Sequence, residues 1–339
     1  MDLTLFQFDF DLTFAMFFMN ADKTIYGRYG TRSSHDDTTQ DMSLEGLAKA
    51  MSGALDLHRD SVLLRTALAG KKQALMPQKT PEEFPSLAKY KPDLDYSGKV
   101  VQSCMHCHQV RDAQRRTVRD AGQPLSDELL FPYPKPDVLG LVLDPKEKAK
   151  VSRVVADSRA AQDGFQVGDE IAFLAGQPII SIADVQWVLH SAKAPTNAAP
   201  TKIPAEVLRG GKRIKLEVIL APGWRRGDIS WRPTSWELRR MIGGMFVEDL
   251  PDEERTKREL PPDSLALRVK HVGQFGEHQA AKKAGLQKDD LIVGFDGISK
   301  RTSETDILAH AVQTRRKGDK ISIQLLRGAQ KIDVSLVLQ

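Results

Sequence analysis

The stretch Gly285-Leu286-Gln287-Lys288-Asp289-Asp290-Leu291-Ile292 decides the fold, because the chain contains a version of it twice. Its counterpart, Gly164-Phe165-Gln166-Val167-Gly168-Asp169-Glu170-Ile171, lies 121 residues earlier. Self-similarity over this length indicates one structural unit present in two copies. The further matching pairs are Gly176 with Gly297, Ser181 with Ser303, Asp184 with Asp306, and Leu208-Arg209-Gly210 with Leu326-Arg327-Gly328.

Each copy predicts strands and helices in one order. Apolar and β-branched runs predict two strands, separated by a short Ala-rich turn of helix that ends near Gly164 or Gly285. Ser181 and Ser303 occupy N-cap positions, and an aspartate three residues later predicts an acidic capping box. A helix and a hairpin that turns at glycine then close each copy. The predicted elements are 151–155, 170–174, 182–190, 205–209 and 214–220 in the first copy, and 267–272, 291–295, 304–314, 321–326 and 332–338 in the second.

At these residues the repeat resembles the PDZ domains of bacterial HtrA-type proteins. The match is carried by residues 284–292 and by Phe295-Asp296-Gly297. The resemblance implies two PDZ-like β-barrel or sandwich domains, each binding a protein or peptide C-terminus on the N–H groups of an apolar-Gly-apolar loop, with the peptide added as a strand. The alternative is that the glycines only form tight turns. The implied peptide-binding residues are Leu139, Gly140, Leu141 and Val142 in the first copy, and Gly243, Gly244, Met245 and Phe246 in the second.

HtrA-type proteins also carry a serine protease domain. This sequence has no Gly-x-Ser-x-Gly segment and no region of the length that a protease fold requires. We therefore carry peptide binding over from the resemblance, and we do not expect protease activity.

The only two cysteines lie in Cys104-Met105-His106-Cys107-His108, a Cys-x-x-Cys-His pattern. This pattern is typical of c-type haem attachment, in which both thiols bond to one porphyrin and His108 binds the iron. The predicted cofactor is haem c on Cys104, Cys107 and His108, with an electron-transfer partner. Three alternatives remain: a zinc site that adds His106 or His108, a thiol-disulfide oxidoreductase, and two ordinary buried cysteines.

The N-terminal region predicts a hairpin followed by a helix. Strands at 13–19 and 24–29 flank a turn at Asn20-Ala21-Asp22-Lys23, and a helix at 43–58 has Ser43 as its N-cap. Leu44, Leu47, Met51 and Leu55 form its predicted buried stripe.

This order resembles the second half of a thioredoxin fold, whose redox Cys-x-x-Cys half is missing here. Together with the Cys-x-x-Cys-His segment and the PDZ-like copies, it resembles the thioredoxin-like/PDZ (seleno)proteins of bacteria.

Composition excludes some classes of function. The chain has 339 residues and a formal net charge of +4, with basic and acidic residues interleaved. This balance argues against a nucleic-acid-binding surface. No apolar run is long enough to span a bilayer, and no signal peptide is visible. Because haem c is attached outside the cytoplasm, we expect a periplasmic or otherwise extracytoplasmic protein whose sequence here has lost an N-terminal export signal.

The predicted fold class is α+β multidomain. Its parts are a partial thioredoxin-like domain (1–62), a linker with a short helical Cys-x-x-Cys-His segment (63–135), a first PDZ domain (136–223), a Trp/Arg-rich bridge (224–240) and a second PDZ domain (241–339). In the bridge, arginines are expected to stack on Trp224, Trp231 and Trp236, as a brace or as a wall beside the haem. The predicted function is a redox-associated adaptor that binds C-termini. A PDZ scaffold with a zinc-binding or structural cysteine pair is the alternative.

Overall fold

The N-terminal region forms the predicted hairpin and helix. The structure is a computed structural model, and it describes residues 1–34, 41–72, 77–91, 93–98, 100–193 and 199–339. Strands β1 (Met16–Met19) and β2 (Ile25–Tyr29) pair antiparallel. Helix α1 (Leu44–Arg59) begins at Ser43, whose hydroxyl accepts the N–H of Gly46 at 2.9 Å. These elements are confirmed, whereas their assignment to a thioredoxin-like domain stays a prediction.

The predicted buried stripe of α1 is wrong. Leu44, Met51 and Leu55 are exposed, and the face that packs consists of small residues: Gly46, Ala50, Gly53 and Ala54. A Cβ on Gly46 would lie 2.1 Å from the carbonyl oxygen of Pro145. The backbone of α1 therefore lies closer to its neighbours than larger side chains would allow.

Short helices follow, and the one predicted around the cysteines is interrupted. The sequence predicts a helical Cys-x-x-Cys-His segment, but the chain leaves the helical conformation at Cys104–His106. The break leaves Cys104 outside any helix and places Cys107 at the start of α4. The elements are α2 (Arg65–Ala69), 3₁₀ turns at Pro81–Glu83 and Pro85–Leu87, α3 (Val100–Ser103), α4 (Cys107–Asp120) and α5 (Asp127–Leu130).

The first repeat is an antiparallel β-structure with one long helix. Its strands form a two-stranded sheet, β3-β4, and a four-stranded sheet in the order β6-β5-β7-β8, and a bridge between Lys150 and Glu170 joins the two. Its elements are a 3₁₀ turn at Pro136–Leu139, β3 (Leu141–Leu143), β4 (Val151–Val154), α6 (Arg159–Gln162), β5 (Glu170–Leu174), β6 (Gln177–Pro178), α7 (Ile182–Ser191), β7 (Thr201–Arg209) and β8 (Lys212–Leu220).

The second repeat has the same order of long strands and long helix in one five-stranded sheet, β13-β12-β11-β10-β9, but it adds helix α9 between β9 and β10 and has no named strand equivalent to β6 among its described residues. Strands β10 and β11 and helix α11 have the bounds predicted from the sequence. Its elements are α8 (Ser235–Met241), β9 (Met245–Asp249), α9 (Asp252–Lys257), β10 (Leu267–Val272), a 3₁₀ turn at Gly276–Gln279, α10 (Ala280–Lys283), β11 (Leu291–Phe295), α11 (Glu304–Thr314), β12 (Lys320–Arg327) and β13 (Gln330–Val337).

The capping box is confirmed in the second repeat and wrong in the first. Ser303 and Asp306 bond each other's backbone reciprocally. Ser181 does cap α7, but the carboxylate of Asp184 accepts the N–H groups of Arg28 and Ile180 and an ion pair from Lys71. The N-terminal hairpin thus uses the carboxylate that would otherwise complete the cap.

Contacts along the chain divide it into two compact units. One comprises residues 1–110 and 131–227, and the other residues 111–130 and 228–339. The N-terminal hairpin and the first repeat share one unit, and the second repeat lies in the other. The five-part division expected from the sequence stays a prediction. Within the described ranges, no helix is long and apolar enough to cross a lipid bilayer.

Candidate functional site

The predicted peptide-binding loop of the first repeat is built around Gly140. This glycine has φ +81°, and a Cβ there would lie 2.2 Å from the Cβ of Ser158. Its N–H donates to the carbonyl of Asp137 at 2.8 Å, and its carbonyl accepts the N–H of Val155 at 2.8 Å. Leu139 ends the preceding 3₁₀ turn, and Leu141 and Val142 continue into β3.

Gly244 is the equivalent residue in the second repeat. It also has φ +81°, donates its N–H to Arg239 O at 2.7 Å and accepts the N–H of Gly273 at 2.8 Å. Gly243 donates to Arg240 O at 2.9 Å, and Met245 and Phe246 begin β9. Because the loop N–H groups of all three glycines are already bonded, a peptide carboxylate would depend on the amides that follow them.

Both loops lead into a strand that has one partner. β3 pairs with β4 alone among the described strands, and β9 is the last strand of its sheet. A strand edge of this kind presents N–H and C=O groups on which a further strand can add. The sequence-predicted residues therefore lie at the start of two strand edges, one in each repeat.

A small apolar cavity lies beneath the loop of the first repeat. Its volume is about 20 Å³, and its walls include Leu139 and Leu141 from the loop and strand, and Val185 and Leu189 from α7. Tyr133 contacts α7 at two residues: its ring stacks on His190 with centroids 4.0 Å apart, and its carbonyl accepts the side-chain N–H of Gln186 at 3.0 Å. Apolar side chains of the loop, β3 and α7 therefore meet at this cavity.

The Cys-x-x-Cys-His segment lies at the break between α3 and α4. Cys104 and Cys107 are both half-buried and free, and the thiol of Cys104 lies 3.4 Å from the carbonyl oxygen of Val100. The rings of His106 and His108 stack with centroids 5.5 Å apart. Both cysteines are thus partly exposed to solvent.

Burial shifts the pKa of two groups in this segment. Loss of solvent raises the pKa of the Cys107 thiol, which is the opposite of what a reactive thiolate requires. Burial first, and then the charge of His106, lower the pKa of His108, which leaves a neutral imidazole able to bind a metal. The described part of the chain contains no group of three or more His, Cys, Asp or Glu side chains arranged to hold a metal ion. The zinc alternative stays a prediction.

The expected stacking of arginine on tryptophan is present. Arg225 lies 4.9 Å from the ring centre of Trp224, Arg232 lies 4.8 Å from that of Trp231, and Arg239 lies 5.1 Å from that of Trp236. Each pair is local in sequence and belongs to a single compact unit.

Sequence reasoning missed an ion pair that occurs in both repeats. Arg209 bonds both carboxylate oxygens of Asp169, at 2.7 and 2.8 Å, and the carbonyl of Gly164 at 2.8 Å. Arg327 does the same with Asp290 and Gly285. The sequence offered two signals for this pair: the repeated Leu-Arg-Gly, and the aspartate that both repeated stretches contain (Asp169 and Asp290). The pair fixes the turn before β5 or β11 to the closing hairpin, which stabilises the strand on which each repeat is built.

Comparison with known proteins supports the PDZ assignment. No protein-family model matches the chain. It is 29% identical over 189 residues to a probable periplasmic serine endoprotease DegP-like protein of Pseudomonas savastanoi pv. phaseolicola (strain 1448A / Race 6), covering 55% of this chain and 36% of the relative. It is 27% identical over 192 residues to the periplasmic pH-dependent serine endoprotease DegQ of Escherichia coli (strain K12), covering 56% and 36%.

The chain thus spans about a third of the length of the curated relatives it matches. The similarity lies in the PDZ-containing part of these proteases. Among solved structures, the PDZ domain of EpsC from Vibrio cholerae is 16% identical with a TM-score of 0.20, covering 29% of this chain and 98% of that one. The HtrA-type protease AlgW with decapeptide is 20% identical with a TM-score of 0.25, covering 42% and 50%. TM-scores this low do not establish a shared arrangement of whole chains.

Proposed function

We propose that this protein is a PDZ-type adaptor that binds the C-termini of other proteins or peptides through its first repeat. The observation that carries the proposal is the single-partner strand β3, which follows Gly140 directly and contributes Leu141 to the wall of an apolar cavity. The bound peptide would add as a strand on β3, with its carboxylate at the amides that follow Gly140 and its last side chain against the apolar residues of the loop and α7. The names of the DegP-like relatives add a periplasmic location to the proposal.

The test is a titration with labelled peptides that differ only at their end. A peptide that ends in a free carboxylate would accept charge-assisted hydrogen bonds from the amides that follow Gly140, so it should bind about tenfold or more tightly than the matching C-terminal amide. Backbone amide shifts measured by NMR should change at residues 139–143. Equal affinity for acid and amide peptides would contradict C-terminal recognition, and no affinity for any peptide would contradict peptide binding.

Proteolysis is not part of this proposal. The relatives are named serine endoproteases, but this chain matches their PDZ-containing part and carries no Gly-x-Ser-x-Gly segment. Thiol-disulfide exchange stays a prediction, and burial, which raises the pKa of the Cys107 thiol, does not favour a reactive thiolate at that residue.

We propose haem attachment as a second function, because both cysteines are partly exposed at a helix break and His108 follows Cys107 directly at the start of α4. Cys104 and Cys107 would hold the porphyrin and His108 its iron, and the group would supply electron transfer.

Protein produced in a host with a haem c maturation system should show a covalent haem band in a pyridine haemochrome spectrum. Cys107→Ser should remove one of the two thioether bonds and shift that band. Unmodified protein of the mass of the bare chain would overturn the haem proposal and leave peptide binding intact.

A further inference from the structure

The outer edge of β9 in the second repeat already has a partner for its central N–H group. Val247 lies opposite Val269 in the β9-β10 pair, and Val269 directs its own N–H and C=O to Asp290 and Asp289. In an antiparallel pair, two residues directly opposite either bond each other or both direct their N–H and C=O groups away from each other. Because Val269 directs its groups away from β9, the Val247 N–H points away from β10. There it donates to Oε1 of Glu304 at 3.1 Å.

Glu304 is held in this position by Arg239. The guanidinium bonds both carboxylate oxygens, Nε to Oε1 at 2.9 Å and NH2 to Oε2 at 2.5 Å. Both side chains are about 95% buried. Arg239 is itself fixed by Ser235 and Ser230 at 2.8 and 3.0 Å, and its charge lies 4.5 Å from the ring centre of Phe246. A bidentate pair in this setting is rigid, and separating it would leave a buried charge without a partner.

The first repeat lacks this arrangement. The N-caps Ser181 and Ser303 align the two long helices, so Ile182 stands where Glu304 stands. The loop glycines Gly140 and Gly244 align the two strands, so Leu143 stands where Val247 stands. An isoleucine side chain cannot accept a hydrogen bond, and the edge of β3 therefore cannot be bonded in this way.

We propose that the Glu304–Arg239 pair closes the edge of β9 to an added strand, so that only the first repeat takes a peptide C-terminus. An incoming strand would have to displace a buried carboxylate from Val247 before it could form its own hydrogen bond there. This inference rests on the proposed function in assigning the peptide to β3, but the closure of β9 can be measured without any peptide.

The experiment combines amide hydrogen exchange with peptide titration on the full chain. In the unaltered protein, the Val247 amide should exchange slowly and one acid-ended peptide should bind per chain, protecting residues of β3 only. The double variant Arg239→Met/Glu304→Leu replaces the ion pair by apolar side chains, a change that folded proteins tolerate. In it, Val247 should exchange on the order of tenfold faster or more, and a second peptide should bind at β9.

Arg301→Met is the matched control. It removes an exposed ion pair with Asp249 from the end of the same strand, and it should leave the exchange of Val247 unchanged. Peptide-dependent protection of β9 in the unaltered chain would overturn the inference, as would unchanged Val247 exchange in the double variant. Absence of any peptide binding would instead reject the proposed function, while the exchange result would still decide whether β9 is closed.

Discussion

At the scale of single residues, the buried pair of Lys71 and Asp184 gives a direct test of how the N-terminal region is joined to the first repeat. The two charged atoms are 3.0 Å apart and both side chains are fully buried. Lys71→Met would leave the carboxylate of Asp184 without its cation, and we expect the free energy of unfolding to fall by about 3 kcal/mol or more. Urea denaturation measures the change.

The adjacent residue supplies the control. Lys72 is exposed, so Lys72→Met should change the free energy of unfolding by no more than about 0.5 kcal/mol. Equal losses for the two substitutions would show that the Lys71–Asp184 pair does not stabilise the fold.

The contribution of Asp296 to the free energy of unfolding should depend on pH in the acid range. Burial alone would raise the pKa of this carboxyl, but hydrogen bonds and charges from Arg315 and His310 outweigh burial and lower it from 3.8. A carboxyl whose pKa is lower in the folded state stabilises that state fully at pH values above its unfolded-state pKa. The contribution is lost as the pH falls through the folded-state pKa.

We therefore expect the difference in unfolding free energy between the unaltered protein and Asp296→Asn to shrink as the pH falls below 3.8. Asparagine tolerates the positive φ of this position, +47°, so the backbone should persist. Urea denaturation at a series of pH values checks this, and a constant difference would contradict the assignment of the ionised form.

At the scale of elements, α1 predicts an unusual response to substitution. Gly→Ala inside a helix ordinarily stabilises it by about 1 kcal/mol. Gly46→Ala should instead destabilise the protein, because the added Cβ would lie 2.1 Å from Pro145 O.

Leu55→Ala should change the free energy of unfolding by no more than about 0.5 kcal/mol, because this side chain is exposed. Thermal denaturation compares the two variants. A loss of about 2–5 kcal/mol for Leu55→Ala would mean that the apolar stripe is core after all.

At the scale of the whole molecule, the repeats could be read from the sequence because their signals are local. Strand periodicity, turn glycines and the N-caps Ser181 and Ser303 lie within a few residues of what they determine. The buried face of α1, the partner of Asp184 and the bonding of Val247 could not be read, because each depends on a residue distant in sequence. For the candidate site, the loop glycines were identified from pattern, whereas the closed edge of β9 depends on Glu304, 57 residues away.

The first repeat depends on contacts with the N-terminal region for the burial of its central helix. The indole of Trp187 bonds Gly70 O at 3.0 Å and lies 3.7 Å from the guanidinium carbon of Arg28, beside the carboxylate that Lys71 neutralises. A recombinant fragment that comprises only residues 136–223 would expose that indole to water. It would also leave the carboxylate of Asp184 without its cation. Work on the first repeat in isolation should keep residues 1–72 attached.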